Sequence, residues 1–219
     1  MYNILFIGNS HTYVNNLPEI FKNIAKSAGI DVNVAAVTNG GWTLERHASL
    51  DDTYGSAVDA VLKGRKFDFV VLQEQSSRPA AEPDKFRMAV VKLLEKIKEN
   101  GASPYLYCTW GHKTGSAALE KYGWTTESMT EKVAESFDAV GNELCIPVAH
   151  VGKAFWDVST NCGEIELYAP DFLHASKHGS FLAALTIFAK MFNYDVTTVD
   201  YDYIFTKEEA AILKNAANK

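Results

Sequence analysis

Only three cysteines occur in 219 residues (Cys108, Cys145 and Cys162), widely spaced and with no CxxC pair. That set provides neither a disulfide framework nor a metal frame, and it fits a reducing compartment. Basic residues are the minority, 21 Lys and Arg against 27 Asp and Glu for a net charge of −6. They form no run, and a nucleic-acid partner would need a basic face, so none is expected. No apolar stretch reaches the ~18 residues that a membrane span requires, so no membrane partner is expected either. Repeats, low-complexity tracts and linker-like segments are also missing, which leaves one domain over residues 1–219 as the expectation. At the amino terminus Met1 leads straight into a strand-like run rather than a leader, so a cytoplasmic location is expected.

What the chain does have is alternation. Apolar, β-rich runs occur at Ile4–Ile7, Val32–Val37, Phe67–Leu72, Tyr105–Cys108 and Ile146–Val151. Between them lie amphipathic segments. In Pro83–Asn100 the apolar set is Phe86, Val90, Leu93, Leu94 and Ile97; in Thr126–Leu144 it is Met129, Val133, Phe137, Val140 and Leu144. Both sets recur at helical spacing. Ser176–Phe192 opens with a capping serine and is apolar nearly all round, as a buried helix would be. Strand and helix in alternation predict a parallel sheet covered on both faces. The expected fold is therefore α/β: a flavodoxin-like three-layer α/β/α sandwich with a mostly parallel five-stranded sheet. Ligands in that architecture sit at the carboxyl ends of the strands.

The stretch "FIGNSHTYVNN" (residues 6–16) puts Ser10 at such an end. A serine after a glycine often does no more than cap the next helix. As a nucleophile it would need a base, and the base an acid to orient it. Of the six histidines (His11, His47, His112, His150, His174 and His178), only His174 has a local acid at useful spacing, in "APDFLHASKHG". There Asp171 can fold back onto the imidazole and leave its other nitrogen facing outward. A lone D-x-x-H is equally compatible with a surface turn. Its position directly before the last long buried helix, however, lets it meet Ser10 at the carboxyl edge.

This pairing, G-x-S early and D-x-x-H late, resembles the SGNH (GDSL-type) hydrolase family across nearly the whole chain. "IGNS" (Ile7–Ser10) is similar to the family's first block, with Asn9 where Asp is usual. "NGGWTL" (Asn39–Leu44) is similar to the second, with Gly41, or else Gly40, as its glycine. The third block departs from the family's Gly-x-Asn-Asp. "VVLQEQSS" offers Gln75 at the asparagine position by register from the strand, with Gln73 as the competitor. An α/β-hydrolase is a poorer match, since its elbow reads G-x-S-x-G and position 12 here is threonine. The resemblance implies a serine esterase acting on small acyl esters, O-acetylated carbohydrates among them, with no metal and no organic cofactor. Ser10 would be the nucleophile, His174 the base and Asp171 its orienting acid. The oxyanion would be held by the N–H groups of Ser10 and Gly41 and the Gln75 amide.

His11, Trp42 and Trp110 are the expected substrate-lining residues, because each follows a strand end on the active edge. The long Gly-containing connection Cys108–Thr126 is the candidate substrate-binding loop, and His47 reads as a surface residue or a substrate contact. Two other classes fit the same residues. One is a flavodoxin-like module whose "GNSHT" loop cradles a phosphate or flavin. The other is an SGNH-fold protein inactivated by its divergent third block.

Overall fold

The computed structural model describes residues 1–218. Its strands are β1 (Tyr2–Gly8), β2 (Val32–Thr38), β3 (Phe69–Leu72), β4 (Ser103–Cys108) and β5 (Val148–His150). Its helices are α1 (Ser10–Tyr13), α2 (Leu17–Ser27), α3 (Leu44–Ala48), α4 (Thr53–Gly64), α5 (Arg78–Ala81) and α6 (Pro83–Asn100), then α7 (Ala117–Tyr122), α8 (Thr126–Leu144), α9 (Val151–Asn161), α10 (Lys177–Phe192) and α11 (Lys207–Ala217).

The strands form one sheet in the order β2-β1-β3-β4-β5, and every pairing is parallel. Successive side chains of a strand point to opposite faces, and β1 shows the consequence. Ile4 and Phe6 join a cluster with α2, α9, α10 and α11. Leu5 and Ile7 join another with α3, α4, α6 and α8. A strand buried on both sides must be apolar at consecutive positions, as "ILFI" is. The expected three-layer sandwich is thus present.

The boundaries of α6 and α8 coincide with the segments expected from periodicity, and Ser176 caps α10 by accepting a hydrogen bond from Gly179 N at 3.2 Å. Two strands are shorter than their apolar runs. β3 begins only at Phe69, because Phe67 N instead donates to the Asn100 side chain. β5 begins only at Val148. Cys145 at φ +55° ends α8, and Ile146 N turns back to the Gly141 carbonyl. Among the described residues no helix is long and apolar enough to cross a membrane.

Parallel strands end on one edge. The segments after β1 (from Asn9), β3 (from Gln73) and β4 (from Thr109) all leave there. The loop between α9 and α10 carries Asp171 and His174 back to the same place.

Candidate active site

Gly8 closes β1 and Asn9 caps α1, its Oδ1 accepting from His11 N at 3.1 Å. Asn9 Nδ2 donates to the Trp42 carbonyl at 2.9 Å. Ser10 is therefore the first helical residue of a turn fixed on both sides. Beneath it, Gln73 Oε1 accepts from Asn9 N and from Thr12 Oγ1, each at 2.8 Å. A Cβ at Gly8 would lie 2.5 Å from that oxygen and 2.6 Å from Thr12 Oγ1, so this approach requires glycine.

The second half of the site is an arch. Tyr168 and Ala175 form an antiparallel bridge at its base, and Ala169 N donates to the His174 carbonyl at 2.8 Å. Inside the arch Asp171 Oδ1 accepts from Leu173 N (3.0 Å) and His174 N (2.9 Å). Its Oδ2 lies 2.6 Å from His174 Nδ1. The β4 loop supports the arch, with Trp110 Nε1 donating to the Leu173 carbonyl at 3.1 Å and Lys113 N to the Phe172 carbonyl at 2.9 Å. Asn15 joins the two halves. Its Nδ2 donates to the carbonyls of Ala175 (3.1 Å) and Ser176 (3.0 Å) and to Ser180 Oγ (2.9 Å).

Across the gap His174 Nε2 lies 2.8 Å from Ser10 Oγ. With Nδ1–H donated to Asp171, Nε2 is left as the acceptor for the serine hydroxyl. The three polar residues thus form a chain from carboxylate to imidazole to hydroxyl, across 161 positions between Ser10 and Asp171. Burial acts to raise the Asp171 carboxyl. The hydrogen bonds from the His174 ring, His174 N and Leu173 N outweigh it and hold the group at about 2.

No family profile matches the sequence, and no curated protein matches it. Among solved structures, it is similar to a protein from Slackia heliotrinireducens assigned to the SGNH hydrolases, at 34% identity and a TM-score of 0.76, over 87% of this chain and 98% of that one. The chain belongs to the SGNH hydrolase family. A DUF4886 family protein from Bacteroides uniformis superimposes with a TM-score of 0.87 at 18% identity, over 99% of this chain and 93% of that one. The psychrotrophic esterase EstA from Pseudoalteromonas sp., known in a form inhibited by monoethylphosphonate, does so at 0.64 and 12% identity, over 88% and 98%. At those identities the last two speak for the fold alone.

Within this SGNH hydrolase, the third-block glutamines have separate tasks. Gln73 is 1% exposed. Its oxygen holds the turn that carries Ser10, and its Nε2 donates to the Glu74 carbonyl, so both ends of the amide bond within the scaffold. Its structural partners are thus the turn that carries Ser10 and its own loop. Gln75 Oε1 accepts from Ser77 N (3.1 Å), Ser77 Oγ (3.0 Å) and Arg78 N (3.0 Å) at the start of α5. These bonds fix the Gln75 amide through its oxygen. Of the two second-block glycines, Gly41 adopts φ +69°, in the turn that Trp42 N closes onto the Asn39 carbonyl at 3.2 Å.

The substrate-lining expectations need correction. Trp110 is fully buried, stacked on Phe155 with ring centroids 4.0 Å apart. Trp42 is buried under Arg46, whose guanidinium lies 3.8 Å from the ring centroid, and beside Tyr54 and His47. His11 is buried between Trp110 (5.0 Å) and His174 (5.3 Å). Large side chains at strand ends fill the space between loops before any substrate can reach them. Burial, helped by nearby His174 and His112, pushes His11 down to about 3. His11 is therefore a neutral ring against His174 and makes no bond to Ser10. His47 is not at the surface: it is fully buried, with Nε2 2.8 Å from the Gly8 carbonyl.

Two features escaped the sequence reading. Ser76 Oγ and His112 Nε2 lie 2.8 Å apart and join the β3 and β4 loops. Burial, with His174 nearby, pushes His112 down to about 4. Glu74 is wholly buried, and its Oε1 accepts from Leu44 N (3.0 Å) and Gln75 N (2.7 Å), pinning the second block to the third. The signal for both was the run of polar residues directly after a wholly apolar strand. Which partners those residues reach depends on loops remote in sequence.

Proposed function

We propose that this SGNH hydrolase is a serine esterase acting on small acyl esters, O-acetylated carbohydrates among them. One observation carries the reading: the hydrogen-bonded chain Asp171 Oδ2–His174 Nδ1 (2.6 Å) and His174 Nε2–Ser10 Oγ (2.8 Å). A serine hydroxyl is a weak nucleophile until a base takes its proton, and the base needs a fixed tautomer to accept it. Ser10 Oγ attacks the ester carbonyl as its proton passes to His174 Nε2. Asp171 stabilises the imidazolium, and His174 then returns the proton to the leaving alcohol. The acyl-enzyme is hydrolysed by the same sequence with water as nucleophile. Negative charge on the carbonyl oxygen is met by Ser10 N, Gly41 N and Gln75 Nε2.

A p-nitrophenyl ester series from acetate to laurate, on wild type and Ser10→Ala, tests this. Turnover should be greatest on the short esters and absent in the variant. An organophosphonate should add to Ser10. A wild-type protein that neither turns over acetate nor takes up the phosphonate would refute the reading.

A further inference from the structure

Phe172 occupies the turn of the arch between Asp171 and His174. It adopts φ +62°, a left-handed conformation that a residue with a Cβ takes up only at a steric cost and that Gly or Asn accommodates better. Phe172 is 41% exposed, so its burial is only partial for so large an apolar residue. One ring edge lies over Gly115 in the β4 loop, where an added Cβ would be 3.7 Å from Cδ2 and Cε2. The main chain is held firmly, with Phe172 N donating to the Ala169 carbonyl at 3.0 Å and Lys113 N to the Phe172 carbonyl at 2.9 Å. A part-exposed apolar residue is thus held on a strained but anchored backbone, between Asp171 and His174. Strain of this kind collects at functional sites.

We infer that Phe172 is a specificity-determining residue, forming an apolar wall for the alcohol portion of the ester. The inference rests on the esterase reading above. The leaving oxygen must approach His174 Nε2 to receive its proton, whereas the carbonyl oxygen is held on the Ser10 and Gly41 side. Phe172 stands two positions before His174 on the same arch, and its ring is assigned to that leaving-group side. The ligand chemistry that suits an exposed aromatic face is a flat apolar one, either an aryl ring or the C–H face of a sugar ring. Trp42 and Trp110, the expected substrate-lining residues, are buried, whereas Phe172 is part-exposed on the arch that carries His174.

The test compares phenyl acetate, an acetylated methyl xyloside and ethyl acetate on wild type, Phe172→Gly and Phe172→Asn. Both substitutions suit φ +62°, so both variants should melt close to wild type. The ratio of kcat/KM for phenyl acetate to that for ethyl acetate should fall about tenfold in each, chiefly through KM. A matching fall for the xyloside identifies the sugar face as a natural occupant; no fall restricts the wall to aryl groups. In parallel, saturation-transfer NMR in a Ser10→Ala background should show phenyl acetate contacts that Phe172→Gly removes. An unchanged ratio with unchanged contacts would overturn the inference. If wild type turns over no ester while the ring contacts persist and depend on Phe172, the esterase reading fails and the subsite stands.

Discussion

Replacing Gln73 with Leu keeps most of the side-chain volume and removes one carbonyl oxygen and one NH2 group. That oxygen accepts from Asn9 N and Thr12 Oγ1, each at 2.8 Å, and all three residues are at most 1% exposed. No water can take its place without opening the turn. Leaving a buried donor unsatisfied costs about 1–3 kcal/mol, so two such donors cost about 2–6 kcal/mol. A chain of this length loses roughly 2–4 °C per kcal/mol, which gives a fall in Tm on the order of 10 °C. Gln73→Glu keeps an acceptor for both donors but loses the bond to the Glu74 carbonyl, so it should fall between wild type and Leu. The assay is thermal unfolding by circular dichroism alongside ester turnover. Activity should fall in the same order as stability, because Asn9 N is one residue from Ser10, the proposed nucleophile. A Leu variant that melts within 2 °C of wild type but loses activity a hundredfold would refute the reasoning. Gln73 would then act on the substrate and not on the turn.

Gln75→Ala should lower kcat about a hundredfold with little change in KM, since its donor matters most when charge develops on the carbonyl oxygen; a loss under threefold would leave the third block without a catalytic role. Asp171→Asn should lower kcat by roughly 10⁴ and His174→Ala by roughly 10⁶, with Tm almost unmoved because both groups lie at an open edge. Retention of most activity in the histidine variant would remove His174 as the base. Burial pushes Glu74 up to about 7 from 4.5, with the Gln75 and Leu44 amides and Arg78 opposing it. Between those values the folded chain holds a proton that the unfolded chain has released, so stability falls as pH rises through that interval and is level above it. The span is worth about 3 kcal/mol. Glu74→Gln lacks this titration, so its Tm relative to wild type should climb between pH 4.5 and 7; a flat difference curve would refute the shift.

Much of this protein is written locally. The β1 core "ILFI" is apolar at consecutive positions because both faces are covered, and that signal needs no partner to be read. The apolar spacing in Pro83–Asn100 and Thr126–Leu144 likewise specified two helices to the residue. Asp171 and His174 are three positions apart, close enough for one turn to join them, so their pairing was legible too. The third block was not. "QEQSS" presents four kinds of polar contact in a row, and its chemistry follows from what lies opposite: the Asn9 turn for Gln73, the start of α3 for Glu74, α5 for Gln75 and the β4 loop for Ser76. Trp110 and His47 were misplaced for the same reason. A side chain at a strand end is buried or exposed according to the loops that fold over it, and those loops come from elsewhere in the chain. Periodicity records only which way a residue points within its own element. Tertiary structure alone decides what stands on the other side, and for Ser10 that is an imidazole 164 positions away.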